Sequence, residues 1–218
     1  LAFSVDTLSR RIYTIKIKNL ETGELLGDEI NGTEGPVAWA NDNLTFFYTL
    51  KNKTTLLSEN IARHKLGTLQ SADVIVFNEN DDSFYIGVYR SKSDKYIIIY
   101  NNSTLVSDYH ILNADNPRGK FQQFSPREKE HEYSIEHFKD KFYIVTNWNA
   151  MNFRLMETSE KATAKQYWRE VISHRKDVFL NDIDVFSNYL VISERKDGLP
   201  QIRIINQNNG KEHYLDFG

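Results

Sequence analysis

The chain has no cysteine, only four prolines and two methionines, and no long apolar run. Without cysteine it can make neither disulfides nor thiolate metal sites, which fits a reducing compartment. No stretch approaches the ~20 apolar residues that a membrane helix requires. Basic charge is not in excess either: 27 Lys and Arg face 30 Asp and Glu, a net charge of −3. A nucleic-acid track or an anionic-membrane patch is therefore not indicated. None of the ten glycines forms a G-x-S-x-G nucleophile elbow, a phosphate loop or a dinucleotide fingerprint. The chain also lacks an initiator Met and opens on "LAFSV", an alternating run that reads as the interior of a strand. We expect from this a piece of a larger protein, without catalytic residues of its own.

What is abundant is sheet-forming material. The 12 Tyr and 13 Phe belong on pleated, half-buried surfaces. Short runs of β-branched and aromatic residues, such as "IYTIKI" (12–17), "FFYTL" (46–50), "KYIIIY" (95–100), "KFYIV" (141–145) and "QIRII" (201–205), alternate with turn formers. "LETGE", "FKDK", "RKDGLP" and "QNNGKE" read as hairpin turns, with Gly or Asn where a positive φ is needed. "SEKATAKQYWREV" (159–171) reads as a loop entering a strand.

The runs also repeat. An aromatic-led strand, a polar loop and a second strand recur with leading residues Phe3, Phe46, Tyr96, Phe142 and Tyr189, spaced 43, 50, 46 and 47 apart. A degenerate repeat of about 40–50 residues is the mark of β-propeller blades, each a four-stranded sheet. The expectation is an all-β fold, a partial (open) β-propeller of about four full blades plus part of another. Its units fall at roughly 1–35, 36–80, 81–119, 120–176 and 177–218. Exposed blade ends would allow self-association.

Motifs that carry chemistry are few. His131 and His137 in "HEYSIEH" are six apart rather than four on a helix, so they read as partly exposed strand-end histidines, not zinc ligands. "NENDDS" (78–83) and "NDID" (181–184) lack the spacing of a calcium loop and read as inter-strand turns. No metal and no cofactor is implied. Five Asn-x-Ser/Thr triplets among 20 Asn read as chance matches. Glu34, between Gly32 and Gly35 and just ahead of a strand with Trp39, is a candidate for a contact at a domain boundary. Arg10 and Arg11 follow a polar bend after the first strand and otherwise read as exposed hairpin charge.

Several segments together carry a resemblance: "LSRRIYTIKIKNLETGE" (8–24), "VAWANDNLTFFY" (37–48), "RHKLGT" (63–68), "DDSFYIGVYRSKSDKYIII" (81–99), "SPREKEHEYSIEHFKDKFYIVTN" (125–147) and "LVISERKDGLPQIRIIN" (190–206). In order and spacing they resemble the prolyl oligopeptidase family of serine peptidases, and within it the oligopeptidase B (protease II) group. The resemblance implies the middle of a seven-bladed N-terminal propeller that caps an α/β-hydrolase domain with a Ser-Asp-His triad. It implies a cytoplasmic or periplasmic enzyme that cleaves short peptides after Arg or Lys, with the catalytic domain outside this chain. Glu34 matches an acidic position of the family that faces the catalytic domain. Ser9, Arg10 and Arg11 match an element near the interdomain cavity, and Arg127, Glu132, Tyr133 and Ser134 match a structural element. An alternative, from the lack of catalytic machinery, is a stand-alone propeller-like interaction module.

Overall fold

Strand β3 explains how the first blades are joined. It runs for 15 residues, Leu25–Trp39, about twice the length of its neighbours. Its first half pairs with β2 (Tyr13–Lys18), from Lys18↔Leu25 to Tyr13↔Thr33. Its second half pairs with β4 (Thr45–Lys51), from Thr33↔Leu50 to Trp39↔Phe46. The register slips between Thr33 and Val37, and the backbone there carries Gly32 at φ +73° and Gly35 at φ +113°. Those values are open to glycine and strained for other residues. A Cβ on Gly35 would also sit 3.3 Å from Tyr13 Cγ. One strand thus leaves a first, incomplete blade and enters the next, which makes a continuous six-stranded sheet of two blades.

In this computed structural model residues 1–216 are described, and they form four antiparallel sheets. The first runs in the order β1 (Ala2–Val5), β2, β3, β4, β5 (Ser58–Lys65), β6 (Val74–Asn78). The second comprises β7 (Tyr85–Arg90), β8 (Tyr96–Asn102), β9 (Ser107–Asn113) and the two-residue β10 (Gln122–Gln123). The third holds β11 (Tyr133–Phe138), β12 (Lys141–Thr146), β13 (Arg154–Ser159) and β14 (Arg169–Ile172). The fourth holds β15 (Val178–Val185), β16 (Tyr189–Lys196), β17 (Leu199–Asn206) and β18 (Glu212–Tyr214). With the first sheet divided at the β3 bend, these are four complete four-stranded blades and part of another, the all-β partial propeller expected from the repeat. The final two positions of the last unit expected from the repeat lie outside the described residues.

The chain separates into two compact units, Leu1–Thr104 with Asp108–Phe124, and Leu105–Ser107 with Ser125 onward. In the first, period-2 alternation gives β4 two different faces. Phe46 and Tyr48 pack with Ile15, Ile17, Ile30 and Ala62, while Phe47 packs with Ile86, Val88, Ile97, Ile99 and Leu112. Both faces are therefore apolar, and the strand reads as a continuous hydrophobic run because sheets cover it on each side. Each such side chain, fully buried, supplies about 1.5–3 kcal/mol. In the second unit Tyr143, Val145 and Leu155 pack with Leu180, Val185, Leu190 and Ile192, which is again sheet on sheet.

Two readings of the sequence need correction here. His131 and His137 are not partly exposed: they are 4% and 0% accessible. His131 stacks on Tyr133 with ring centroids 5.0 Å apart and meets Thr146 Oγ1 at 3.0 Å. His137 lies against Phe142, and its Nε2 is 3.3 Å from Glu160 Oε2. Thr146 on β12 and Glu160, just past the end of β13, lie beyond the reach of a local reading. The acidic "NDID" segment is not a turn but the body of β15. A bulge between Leu180 and Asp182 leaves Asp182 and Asp184 exposed while Leu180 and Val185 stay buried. Segment 159–171 does enter a strand, through a single 3-10 turn at Lys165–Tyr167.

Candidate functional site

The bend in β3 puts Glu34 on the wall of a cleft of about 370 Å³ within the first unit. Arg10 and Arg11 line the same cleft, with Lys51, Leu56, Leu57, Ser58, Tyr85, Ile86 and Tyr100. All three residues singled out for the domain boundary are thus brought together, although Glu34 is more than twenty positions from the arginines in sequence.

Each wall has a local cause. The loop between β1 and β2 is held by Asp6, whose carboxylate accepts from the backbone N–H groups of Leu8 (3.0 Å) and Arg11 (2.7 Å). Desolvation raises the Asp6 pKa, but backbone donors from Leu8, Arg11, Arg10 and Ser9 outweigh it and hold the group below the usual carboxylate value. Ser9 and Arg11 take positive φ values of 53° and 56°, so the chain doubles back and presents both arginines to solvent. Among the described residues neither guanidinium group has an ion-pair or hydrogen-bond partner.

Lys51 ties the walls together. Its ammonium donates to Glu34 Oε2 at 2.7 Å and to the Arg11 carbonyl at 2.8 Å, and its side chain is 8% exposed. Ser58 Oγ donates to the same Glu34 oxygen at 3.0 Å. On the far side, Gly87 faces Tyr100 across the β7–β8 pair. A Cβ at Gly87 would collide with the Tyr100 ring, so the glycine is what lets that phenol lie over the strand. Burial raises the Tyr100 pKa, with the nearby Glu34 charge adding to it. Tyr85, next along β7, leaves its ring largely exposed.

A second charged cluster in the same unit is sealed. His64, 0% accessible, meets Asp73 Oδ1 at 2.7 Å through Nδ1 and Asp28 Oδ1 at 3.0 Å through Nε2. Tyr48 donates to Asp73 at 2.8 Å and the Gly67 N–H to Asp28 at 2.6 Å. Burial and the Asp73 carboxylate push the Tyr48 phenol well above its ordinary value. Asp28 comes from the first half of β3, His64 from β5, so the cluster pins the incomplete blade to the next. Among the described residues no group of three or more His, Cys, Asp or Glu is arranged to hold a metal ion.

The matched structural residues fall elsewhere. Trp39 ends β3 and packs on Phe46 at 4.9 Å between ring centroids. In the second unit Tyr133 is buried beside His131 and Trp168. The Glu132 backbone N–H donates to Asn147 Oδ1 at 2.9 Å, and Arg127 stands on an exposed loop. Burial, with Lys165 adding to it, lowers the His131 pKa against an opposing effect of Glu128.

Against known proteins, residues 1–218 match the family model for the prolyl oligopeptidase N-terminal beta-propeller domain. The chain belongs to that family. It is 39% identical over 214 residues to the dipeptidyl aminopeptidase BI of Pseudoxanthomonas mexicana, covering 98% of this chain and 30% of that protein. It is 31% identical over 195 residues to protease 2 of Moraxella lacunata, covering 88% of this chain and 28% of that protein. Among solved structures, oligopeptidase B from Leishmania major superimposes with a TM-score of 0.90 at 28% identity. That match covers 100% of this chain and 32% of the other. The chain spans about a third of the length of these relatives, and the resemblance seen in its motifs is borne out. No helix among the described residues is long and apolar enough to cross a membrane.

The sequence missed Lys51, Ser58, Tyr85 and Tyr100 as members of the cleft. Lys51 was within reach in principle. β3 and β4 are antiparallel, and the register of Val37↔Tyr48 and Trp39↔Phe46, carried back through the slip, sets Glu34 opposite Lys51. Tyr85 and Tyr100 carried no signal, since their place depends on how two blades pack.

Proposed function

We propose that this chain is the gating and substrate-filtering propeller of a cytoplasmic serine oligopeptidase that cleaves short peptides after Arg or Lys. The chain itself is non-catalytic in this reading, and its partner is an α/β-hydrolase domain of the same polypeptide. The observation that carries it is the likeness to oligopeptidase B along the full length of the chain, joined to the identity with protease 2. The Asp6-held loop and Glu34 are the elements that meet the catalytic domain. Glu34 already has a cation in Lys51, so closure works by competition: a cation of the catalytic domain shares or takes over the carboxylate. Such a pair acts as a two-state latch rather than a large source of stability, and its opening admits peptide.

The test is hydrolysis by the complete polypeptide of peptide amides ending in Arg, Lys or Pro, each with a free and a blocked amino terminus. Cleavage after Arg and Lys with either terminus supports the reading. A requirement for a free amino terminus assigns the protein instead to the activity named for the Pseudoxanthomonas relative. Preference for Pro, or no hydrolysis, overturns it.

A further inference from the structure

The cleft beside Glu34 holds more positive charge than the latch uses. Three cations line it, Arg10, Arg11 and Lys51, against the single carboxylate of Glu34. Lys51 and Glu34 satisfy each other at 2.7 Å. Asp6, the acid of the same loop, turns its oxygens to backbone N–H groups of that loop. Both guanidinium groups are left over, and the loop that presents them is fixed at both ends. Asp6 holds it from within, and Lys51 holds its Arg11 carbonyl at 2.8 Å. Unpaired arginines on a pre-formed loop are suited to a carboxylate, which a planar guanidinium can grip through two parallel hydrogen bonds. Leu56, Leu57, Ile86 and the exposed ring of Tyr85 supply an apolar wall to the same cleft, alongside Ser58 and Tyr100.

We propose that this cleft binds the C-terminal carboxylate of a short peptide, with Arg10 and Arg11 on the carboxylate and the peptide's last, apolar side chain against Leu56, Leu57, Ile86 and Tyr85. The volume of about 370 Å³ is within the range of small-ligand pockets and takes one or two residues rather than a folded partner. The site deepens the oligopeptidase reading, on which it rests only for the source of the peptide. It selects chain ends, so a filter built on it senses that a peptide is short and terminates within reach.

The experiment measures binding of N-acetyl-Ala-Leu and of its C-terminal amide to the complete polypeptide by isothermal titration calorimetry. Neither probe holds Arg or Lys, so the measurement is independent of turnover. The carboxylate is expected to bind about tenfold more tightly than the amide, as for a charge-assisted hydrogen-bonded contact, with the preference shrinking as salt rises. Arg10→Gln and Arg11→Gln each reduce the preference, and the double variant removes it, with thermal midpoints unchanged because both side chains are exposed. Tyr85→Ala weakens carboxylate and amide alike. Equal affinity for the two probes, no binding of either, or a preference that survives in the double variant overturns the site. Occupation of the arginines by a carboxylate of the neighbouring domain would give the first or second of these results. If the carboxylate preference holds while Arg and Lys amides are not cleaved, the site stands and the peptidase reading falls.

Discussion

Asp28 and Glu34 sit six residues apart on the same strand, and their surroundings could hardly differ more. Asp28 is 7% accessible and locked onto His64 and the Gly67 N–H. Glu34 is at the bend, 39% exposed in its side chain, and shares its cleft with two unpaired arginines. The first cluster spends every polar atom of its imidazole on carboxylates within the fold. The second keeps cations in reserve. Charge sealed between sheets with its partners complete holds blades in register, whereas charge left in surplus on a wall is available to something outside the chain.

Substitutions should separate these two roles. The largest effect is expected for His64→Ala, which leaves two carboxylates buried without their partner and costs about 3–5 kcal/mol, read as a fall in the denaturation midpoint. A loss under ~1 kcal/mol, the scale of an exposed ion pair, would erase the distinction. Next comes Gly35→Ala, at about 1–3 kcal/mol for a side chain forced into positive φ, because Gly35 stands at +113° with Tyr13 against it. This change distorts the bend itself, so turnover and stability should fall together.

Glu34→Ala is the sharper probe. Under the proposed gating role, in the complete polypeptide it is expected to lower turnover on a basic dipeptide amide several-fold while the thermal midpoint moves little, since the carboxylate is partly solvated. Unchanged kinetics would remove Glu34 from the gate. The smallest effect belongs to acid pH. Asp6 has a folded-state pKa below the ordinary 3.8, so its contribution is complete above that value. It is lost as pH falls through the lower, folded value. Asp6→Asn should therefore flatten the acid limb of stability below about pH 4 and leave the neutral region nearly unchanged. An acid limb identical to wild type would show that the Asp6-held loop contributes nothing to folding.

Much of this was legible in the residues. The recurrence from Phe3 to Tyr189 reported the blades because each sheet must present apolar faces to the next, and that demand imposes a period on the chain. Turn chemistry was equally local: Gly23, Gly198 and Gly210 have positive φ in the turns the sequence marks, whereas Lys139 and Asp197 take positive φ there without being Gly or Asn. Glu34 stood out because glycines flank it. His64 did not, because Asp28 and Asp73 lie 36 and 9 positions away and meet it only after three strands have paired. His131 and His137 were misplaced for the same reason, and "NDID" because a bulged strand exposes successive polar residues as a turn does. What the sequence hides is whatever depends on partners from separate strands.

The long strand has a practical consequence for anyone dissecting this protein. A repeat period invites truncation at its joints, and the first joint, near residues 35 and 36, falls inside β3. A cut there would expose two raw hydrogen-bonding edges and sever the peptide that carries Glu34, rather than release a tidy module. Proteases should find poor ground at Thr33, the residue paired on both flanks, with Tyr13 and Leu50, and the slip in register follows directly after it. The exposed 52–56 turn beside it is the place to look for the first nick.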